Sequence, residues 1–394
     1  MNDIEYMKMA LELAKRGRGR VNPNPLVGAI VVKNGRVIGQ GWHEYFGGLH
    51  AERNALKSCR EAPREPQPQE MPAPRETQGS REMPGPRESA EGATLYVTLE
   101  PCCHYGKTPP CTEAIIESKI ARVVVGTLDV NPLVAGKGVE ILRQNGITVD
   151  VGVLEDECQW LIRVFRKFMT TKRPFVVMKY AMTMDGKIAT YAGHSRWISS
   201  EQAREQVHRL RNELTAIMVG VETVIHDDPL LTCRMENGRN PVRIVCDTHL
   251  RTPLTSKLVE TAASVPTFIA TACGDEQRKA LYEQRGCKVI PVPELDGHID
   301  LSGLMDILGA MDIDGVLLEG GGRLNWSALR QQIVDEVQTY IAPKIFGGTA
   351  ATPVGGPGVE FPGDAVMLAP RKISRIGPDC LIESEVIYTG RKEG

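Results

Sequence analysis

The chain has 394 residues, 42% of them hydrophobic and 5% aromatic, with a formal net charge of −2. That length is too great for one ordinary core and predicts two domains. A near-neutral balance offers no field for a polyanion and few aromatics means few stacking platforms, so composition argues against nucleic acid and for a small substrate.

Ile4, Met7, Ala10, Leu11 and Ala14 fall at helical spacing and predict an amphipathic first helix ending near Gly17 and Gly19. After the turn Asn22-Pro23-Asn24-Pro25, the apolar run 27–32 reads as a buried strand, Asn34-Gly35 as a hairpin turn and 37–41 as the returning strand. A helix is predicted from His50 to Cys59, a strand over 94–99, a helix over about 111–118, a strand over 123–126 and a helix near 138–144. This alternation predicts a three-layer α/β domain over 1–150. Residues 60–92 interrupt it. They are dense in Pro, Arg and Glu, and Glu70-Met71-Pro72-Ala73-Pro74-Arg75-Glu76 is echoed by Glu82-Met83-Pro84-Gly85-Pro86-Arg87-Glu88 with no hydrophobic face. They read as a disordered or polyproline-like surface insertion.

A single helix from 155 to about 172 is predicted inside a connecting segment, 151–172. A second α/β domain, 173–394, then has strands predicted over 175–181, 216–220, 242–246, 267–270, 288–291 and 315–319. Of ten scattered cysteines only Cys102, Cys103 and Cys111 cluster, which is no disulfide framework and fits a reducing cytoplasm. The start lacks a basic segment followed by an apolar one, and no apolar run approaches the ~20 residues that cross a bilayer, so neither signal peptide nor membrane span is expected.

The chemistry lies in His50-Ala51-Glu52 and Pro101-Cys102-Cys103-His104-Tyr105-Gly106-Lys107-Thr108-Pro109-Pro110-Cys111. One imidazole and two thiolates suit zinc, and three protein ligands leave a tetrahedral corner open, which marks a catalytic site. A carboxylate two residues after the histidine completes a deaminase signature, in which the metal acidifies a water and Glu52 shuttles the proton to the leaving amine. The usual cysteine spacing is Pro-Cys-x-x-Cys, but position 105 is tyrosine, so the second thiolate is Cys111. The residues alone leave the first open between Cys102 and Cys103, and a closed structural site with Cys103 or His104 as fourth ligand is the plain alternative.

The second half has no Gly-x-Gly-x-x-Gly after a strand. It offers an apolar run over 316–318, then Glu319, then Gly320-Gly321-Gly322-Arg323-Leu324, a strand-to-helix turn whose amides suit a phosphate or make an ordinary tight turn.

Taken together, Asn22-Pro23-Asn24-Pro25-Leu26-Val27-Gly28-Ala29, Gly41-Trp42-His43 and the two zinc strings resemble the bifunctional pyrimidine deaminase/reductase family of riboflavin biosynthesis. In the second half so do Thr183-Met184-Asp185-Gly186-Lys187, Ser195-Arg196-Trp197-Ile198-Ser199-Ser200, Asp227-Asp228-Pro229-Leu230-Leu231-Thr232-Cys233-Arg234 and Ala342-Pro343-Lys344-Ile345-Phe346-Gly347-Gly348. The resemblance spans the chain except 60–92. It implies a cytidine-deaminase-like three-layer α/β/α domain followed by a dihydrofolate-reductase-like α/β domain that uses NADPH. It also implies a homo-oligomer, dimer or tetramer.

By the same resemblance one Zn2+ falls on His50, Cys102 and Cys111, with a serine usual where Cys103 stands. Glu52 is the catalytic acid/base, and the base and ribose contacts are Asn24, His43, His104, Lys107, Asp129 and Asn131. The cofactor is placed against Ala181, Trp197, Thr223, Asp227, Thr248 and the run Gly321, Gly322, Arg323, Leu324, Asn325, Trp326 and Ser327. The phosphorylated substrate meets Lys179, Ser195, Arg211, Leu231, Arg234 and Glu319, and Lys179, Asp185 and Glu319 are the candidates for proton handling. Paired arginines suit a phosphate and an indole suits a cofactor ring. The plainer roles are core packing for Trp197 and a solvated helix face for Arg211. The implied activity is deamination of a phosphoribosylamino-diaminopyrimidine, then reduction of its ribosyl chain to ribityl. The alternatives are a deaminase of another nucleoside or nucleotide with an inactive second domain, and a non-catalytic zinc scaffold docking partners through 60–92.

Overall fold

The computed structural model describes residues 1–59, 89–106 and 108–388. The insertion expected over 60–92 therefore lies outside the described residues as far as 88, as does Lys107; residues 89–92 lead through a turn into the next strand. The chain forms two compact units, Met1–Arg166 and Lys167–Gly394, dividing inside the expected 151–172 connection.

Unit 1 begins with α1 (Asp3–Ala14), β1 (Gly28–Lys33), β2 (Arg36–Trp42), α2 (Ala51–Ser58), β3 (Thr94–Leu99) and α3 (Cys111–Glu117). It continues with β4 (Arg122–Thr127), α4 (Lys137–Gln144), β5 (Thr148–Val151) and α5 (Glu155–Leu161), after which α6 (Arg163–Thr171) carries the chain into unit 2. Its five strands lie in the order β2-β1-β3-β4-β5, antiparallel up to β3 and parallel beyond. Alternation along the strands makes the three layers. Ala29, Val31, Leu95, Val97, Val123 and Val125 pack with α2, α3 and α4, whereas Ile30, Val32, Tyr96 and Val124 pack with α1 and α5. The same alternation breaks the helix expected from 155 to 172. Leu161 belongs to one core and Ile162 to the other, so the chain turns at Ile162 and two helices replace one.

Two glycines of β2 decide where α2 can lie. A Cβ on Gly41 would stand 2.4 Å from the Ala55 nitrogen and 2.6 Å from the Ala51 oxygen, and one on Gly39 2.5 Å from the Ala55 oxygen. Only hydrogen fits there, so the helix rests directly on the strand and its first turn, His50 to Glu52, is held in place.

Unit 2 starts with β6 (Phe175–Thr183), α7 (Glu201–Glu213), β7 (Ala216–Gly220), α8 (Val221–Asp227), β8 (Val242–Cys246), α9 (Lys257–Glu260), β9 (Thr267–Thr271) and α10 (Glu276–Glu283). Next come β10 (Lys288–Pro291), the small pair β11 (Glu294–Leu295) and β12 (His298–Ile299), α11 (Leu301–Ala310), β13 (Gly315–Leu318), α12 (Gly322–Arg330), β14 (Glu336–Ala342), β15 (Met367–Ile376) and β16 (Asp379–Ile387). The nine-stranded sheet runs β10-β9-β8-β7-β13-β6-β14-β16-β15, parallel from β10 to β14, with an antiparallel hairpin closing one side. The chain leaves β6 outward through β7 to β10, then returns to place β13 between β7 and β6 and β14 beyond β6. This reversal of winding is the topological switch point where open parallel sheets bind ligands at strand carboxyl ends. Both halves have the expected α/β character. Among the described residues no helix is long and apolar enough to cross a membrane.

Replacing Gly41 by valine should cost about 1–3 kcal/mol through overpacking against backbone that cannot yield. It should also push the first turn of α2 off the sheet. Thermal melting with zinc analysis checks both, and an unchanged melting point with full zinc content would contradict the packing argument.

Candidate active sites

In unit 1 two helix starts converge. His50 is the N-cap of α2, with extended backbone angles, and Cys111 is the first residue of α3. The third group, Cys102, lies in the loop after β3. The His50 Nδ1 atom is 3.4 Å from the Cys102 sulfur and 3.4 Å from the Cys111 sulfur, and the three ligand atoms lie within 4.8 Å of one another. Tetrahedral zinc with Zn–S near 2.3 Å and Zn–N near 2.0–2.1 Å sets its nitrogen and sulfur ligands about 3.6 Å apart, so the trio fits that ion. Among the described residues no other histidine, cysteine or carboxylate joins the group. Of the adjacent cysteines, Cys102 faces the imidazole; the Cys103 thiol turns to the Leu133 carbonyl, 3.7 Å away. A hydrogen bond from the Cys111 thiol, with the nearby imidazole, pushes the Cys102 thiol down to about 4, while the same bond and burial hold Cys111 up.

Glu52, the second residue of α2, is 3% exposed, and burial followed by the Cys102 charge pushes its carboxyl up to about 7. Such a group can both take and give a proton. His43 is also buried, and its two nitrogens are engaged: Nδ1 donates to the Leu49 carbonyl at 3.0 Å, so Nε2 accepts from the Asn24 amide at 3.1 Å. The imidazole thus fixes the rotation of the Asn24 amide. His104 presents a buried Nδ1 with no partner, a polar atom suited to a ligand. Asp129, half-buried, is pushed up to about 6, chiefly by burial. Its Oδ1 accepts the Asn131 N–H at 2.8 Å, so these two expected contacts share one turn.

Two contributors to this site carry no role in the sequence reading. Arg53 reaches from α2 to the carbonyls of Pro109 at 3.2 Å and Pro110 at 2.7 Å, tying the histidine helix to the approach of Cys111. Glu100, beside the cysteine loop, is 3% exposed and accepts three backbone N–H groups from the 129–139 segment. An acid directly before Pro101 was the available signal.

In unit 2 a cavity of about 350 Å³ opens at the switch point. Of the expected substrate and cofactor residues, Lys179, Ala181, Ser195, Trp197, Arg211, Arg234 and Glu319 line it. Glu319, at the end of β13, receives two hydrogen bonds from Arg211, Nε at 2.8 Å and Nη2 at 2.9 Å, and Arg211 Nη1 donates to the Thr232 carbonyl at 3.1 Å. Arg211 is therefore a member of a largely buried ion pair, its side chain 14% exposed, not a solvated face. Burial pushes Glu319 up, but Arg211 and Lys179 outweigh it and hold the carboxyl at about 2. Trp197 is 61% exposed, which excludes core packing; Arg204 covers one face of it at 4.4 Å from the ring centroid.

Asp185 lies outside this lining, locked by Thr183 and the N–H groups of Phe346 and Gly347, and Leu231 is buried at 4% exposure. Thr223 and Asp227 stand on α8, Thr248 just after β8, and Gly321 to Ser327 at the start of α12, all at carboxyl ends of neighbouring parallel strands. A Cβ on Gly321 would meet nothing nearer than the Thr223 hydroxyl at 3.8 Å, so the α12 N-terminus has an open approach for a dinucleotide phosphate. Buried Asn325 has an unpartnered Oδ1 beside the same turn, while its amide is tied to the Pro353 carbonyl at 2.8 Å. The residues present fit such a cofactor. Missed by the sequence reading were Arg204 and His208, which line the cavity with Arg211 because positions 204, 208 and 211 share one face of α7.

Two family profiles match: the cytidine and deoxycytidylate deaminase zinc-binding region over residues 1–127, and the RibD C-terminal domain over 174–382. The riboflavin biosynthesis protein RibD of Actinobacillus pleuropneumoniae is 47% identical over 98% of this chain and 96% of its own length. That of Aquifex aeolicus is 42% identical over 96% and 97%. The chain belongs to the RibD family.

The fold agrees with that membership. A Thermotoga maritima diaminohydroxyphosphoribosylaminopyrimidine deaminase/5-amino-6-(5-phosphoribosylamino)uracil reductase superposes with a TM-score of 0.80 at 38% identity, covering 98% of this chain and 99% of its own. Acinetobacter baumannii RibD gives 0.79 at 33% identity, with 98% and 99% covered. RibD relatives span both units, so the first carries a zinc-binding deaminase domain and the second an NADPH-using reductase domain. A single-activity chain and a zinc scaffold find no support in this coverage.

Glu319→Gln should leave Arg211 and Lys179 without a counter-charge and cost about 3–5 kcal/mol in denaturant titrations. The carboxyl sits at about 2 against an ordinary 4.5, a depressed value, so its stabilising effect is complete above that ordinary range and lost as pH falls toward 2. The wild type should weaken across this window and the variant less so; parallel pH profiles would refute the assignment.

Proposed function

We propose that this chain catalyses two consecutive steps of riboflavin biosynthesis. The first is hydrolytic deamination of 2,5-diamino-6-(5-phosphoribosylamino)pyrimidin-4-one in unit 1. The second is reduction of the ribosyl side chain in unit 2, giving 5-amino-6-(5-phosphoribitylamino)uracil. The observation that carries the reading is the convergence of one imidazole nitrogen, two thiol sulfurs and a buried carboxylate in one unit of a chain whose other unit has its own charged cavity.

In unit 1, His50, Cys102 and Cys111 would hold zinc, which when bound supplies a Lewis acid that acidifies water. Glu52 takes a proton from the attacking water as the new C–O bond forms and then delivers it to the amino group, so the exocyclic C–N bond breaks and ammonia leaves. Asn24, its amide turned by His43, meets the pyrimidine edge, and His104, Asp129 and Asn131 flank it. Lys107 is proposed for the substrate phosphate.

In unit 2, Ala181, Trp197, Thr223, Asp227, Thr248 and the start of α12 would hold NADPH, which when bound supplies hydride for C1′ of the ribose. Opening the sugar requires a proton on its ring oxygen. Lys179, in the cavity beside Glu319 and with its ammonium made more acidic by burial, is the group to release it. Arg234 and Ser195 bind the phosphate end, and Arg211 with Glu319 keeps the wall rigid. A reducing cytoplasmic setting and a homo-oligomer through unit 2 are part of the same reading.

Glu52→Gln should keep its zinc, abolish ammonia release and leave reduction of supplied deaminated substrate intact. Metal analysis with the two half-reaction assays reads all three. Reduced zinc content would make the glutamate a ligand or a structural prop.

A further inference from the structure

We propose that Glu100 is a positioning residue of the deaminase site, acting through the turn that bears Asp129 and Asn131. The inference rests on the reading of unit 1 as a deaminase. Glu100 is a buried acid, 3% exposed, immediately after β3 and two residues before Cys102. Its side chain binds neither the metal trio nor any other side chain among the hydrogen bonds of the described residues; its acceptors are spent on backbone. Oε2 accepts the N–H of Asp129 at 3.2 Å and of Gly136 at 2.8 Å, and Oε1 accepts the N–H of Val139 at 3.1 Å.

These donors span the segment that carries two candidate substrate contacts. Within it Asp129 accepts from the Asn131 N–H at 2.8 Å, and Asn131 accepts from the Leu133 N–H at 3.0 Å, so the turn is a relay of short bonds whose outer ends are fixed on Glu100. The N-cap of α4 is Gly136, left-handed at φ 86° and without a capping side chain. The Glu100 carboxylate substitutes for that cap from another element, and its negative charge lies at the positive end of the helix. Close contact reinforces the arrangement: a Cβ on Gly138 would stand 2.2 Å from the Pro101 carbonyl and 3.2 Å from Glu100 Oε1. One residue thus joins the backbone that delivers a zinc thiolate to the backbone that delivers the substrate turn. The distance between reacting carbon and metal is set through that junction, which gives a buried anion at this place a use beyond stability.

The test is Glu100→Gln, isosteric but unable to satisfy all three donors, because an amide NH2 must face either the Asp129 and Gly136 pair or Val139. Zinc content, ammonia-release kinetics and the reductase half-reaction are measured on the full chain. The expected result is full zinc, normal reduction, and kcat/KM for deamination down roughly ten- to hundredfold, carried mainly by KM. Unchanged deamination kinetics, or a parallel loss of zinc and of both activities, overturns the role. Should the variant not fold, amide hydrogen exchange on the wild type decides: slow exchange at Gly136 and Val139 supports the anchor, and prompt exchange overturns it. Wild-type ammonia release is assayed alongside. Its absence removes the deaminase reading itself, whereas a normal wild type with an unchanged variant removes only the role of Glu100.

Discussion

Unit 1 depends on two helix N-termini being brought to one point. His50 precedes the first turn of α2 and Cys111 opens α3, so each functional group sits at a positive helix end, and the Cys111 N–H donates to the Cys102 sulfur at 3.3 Å, which favours the Cys102 thiolate. Getting them there is a matter of packing before it is a matter of coordination. The glycines of β2 admit α2 to the sheet surface, and Arg53 bonds that helix to the carbonyls leading into α3. The donor trio is then consistent with zinc geometry, and a buried carboxylate in the same first turn of α2 is in hydrogen-bond reach of Cys111.

Unit 2 solves its positioning problem with topology. Parallel strands end on one side of the sheet, and the reversal of winding at β13 opens a crevice there. Lys179 on β6, Glu319 after β13 and Arg211 on α7 meet at its wall, three elements far apart in sequence. A charge cluster at this place has a cost in desolvation, offset by the bidentate geometry of the guanidinium on the carboxylate. Breaking it from either side leaves unpaired charge, so the wall is stiff where a substrate is held.

How much of this was legible in the sequence follows from range. Strands such as 216–220 and 315–318 are continuous apolar runs closed or opened by a glycine, which parallel or central strands require, and the structure has them in place. β14 escaped because it interleaves buried polar residues, Glu336, Gln338 and Thr339, with its apolar ones. β15 escaped because it is an edge strand with most side chains exposed. The metal motif was readable since spacing and residue type state it, but the choice of Cys102 over Cys103 as the thiol facing His50 depends on a loop turning one sulfur inward. Glu100 and Arg53 act through partners distant in sequence, which no periodicity announces, whereas Arg204 and His208 share the helical face of Arg211 and could have been found by that spacing.

Environment also separates the three residues named for proton handling in unit 2. Asp185 is held at about 2, foremost by the Thr183 hydroxyl and then by the N–H groups of Gly347 and Phe346, so it stays an anion and has the shape of a turn lock. Glu319 is held equally low by two cations despite its burial. A carboxylate so stabilised as the anion takes up a proton reluctantly and, at neutral pH, has none to give. Lys179 differs in sign: burial favours its neutral form, so its proton is more available than that of a solvated lysine, while Glu319 keeps enough of it charged to act. The arrangement makes the Glu319 carboxylate the partner that tunes the Lys179 ammonium. In the proposed second step proton release would therefore fall to Lys179, with Glu319 setting how readily it occurs.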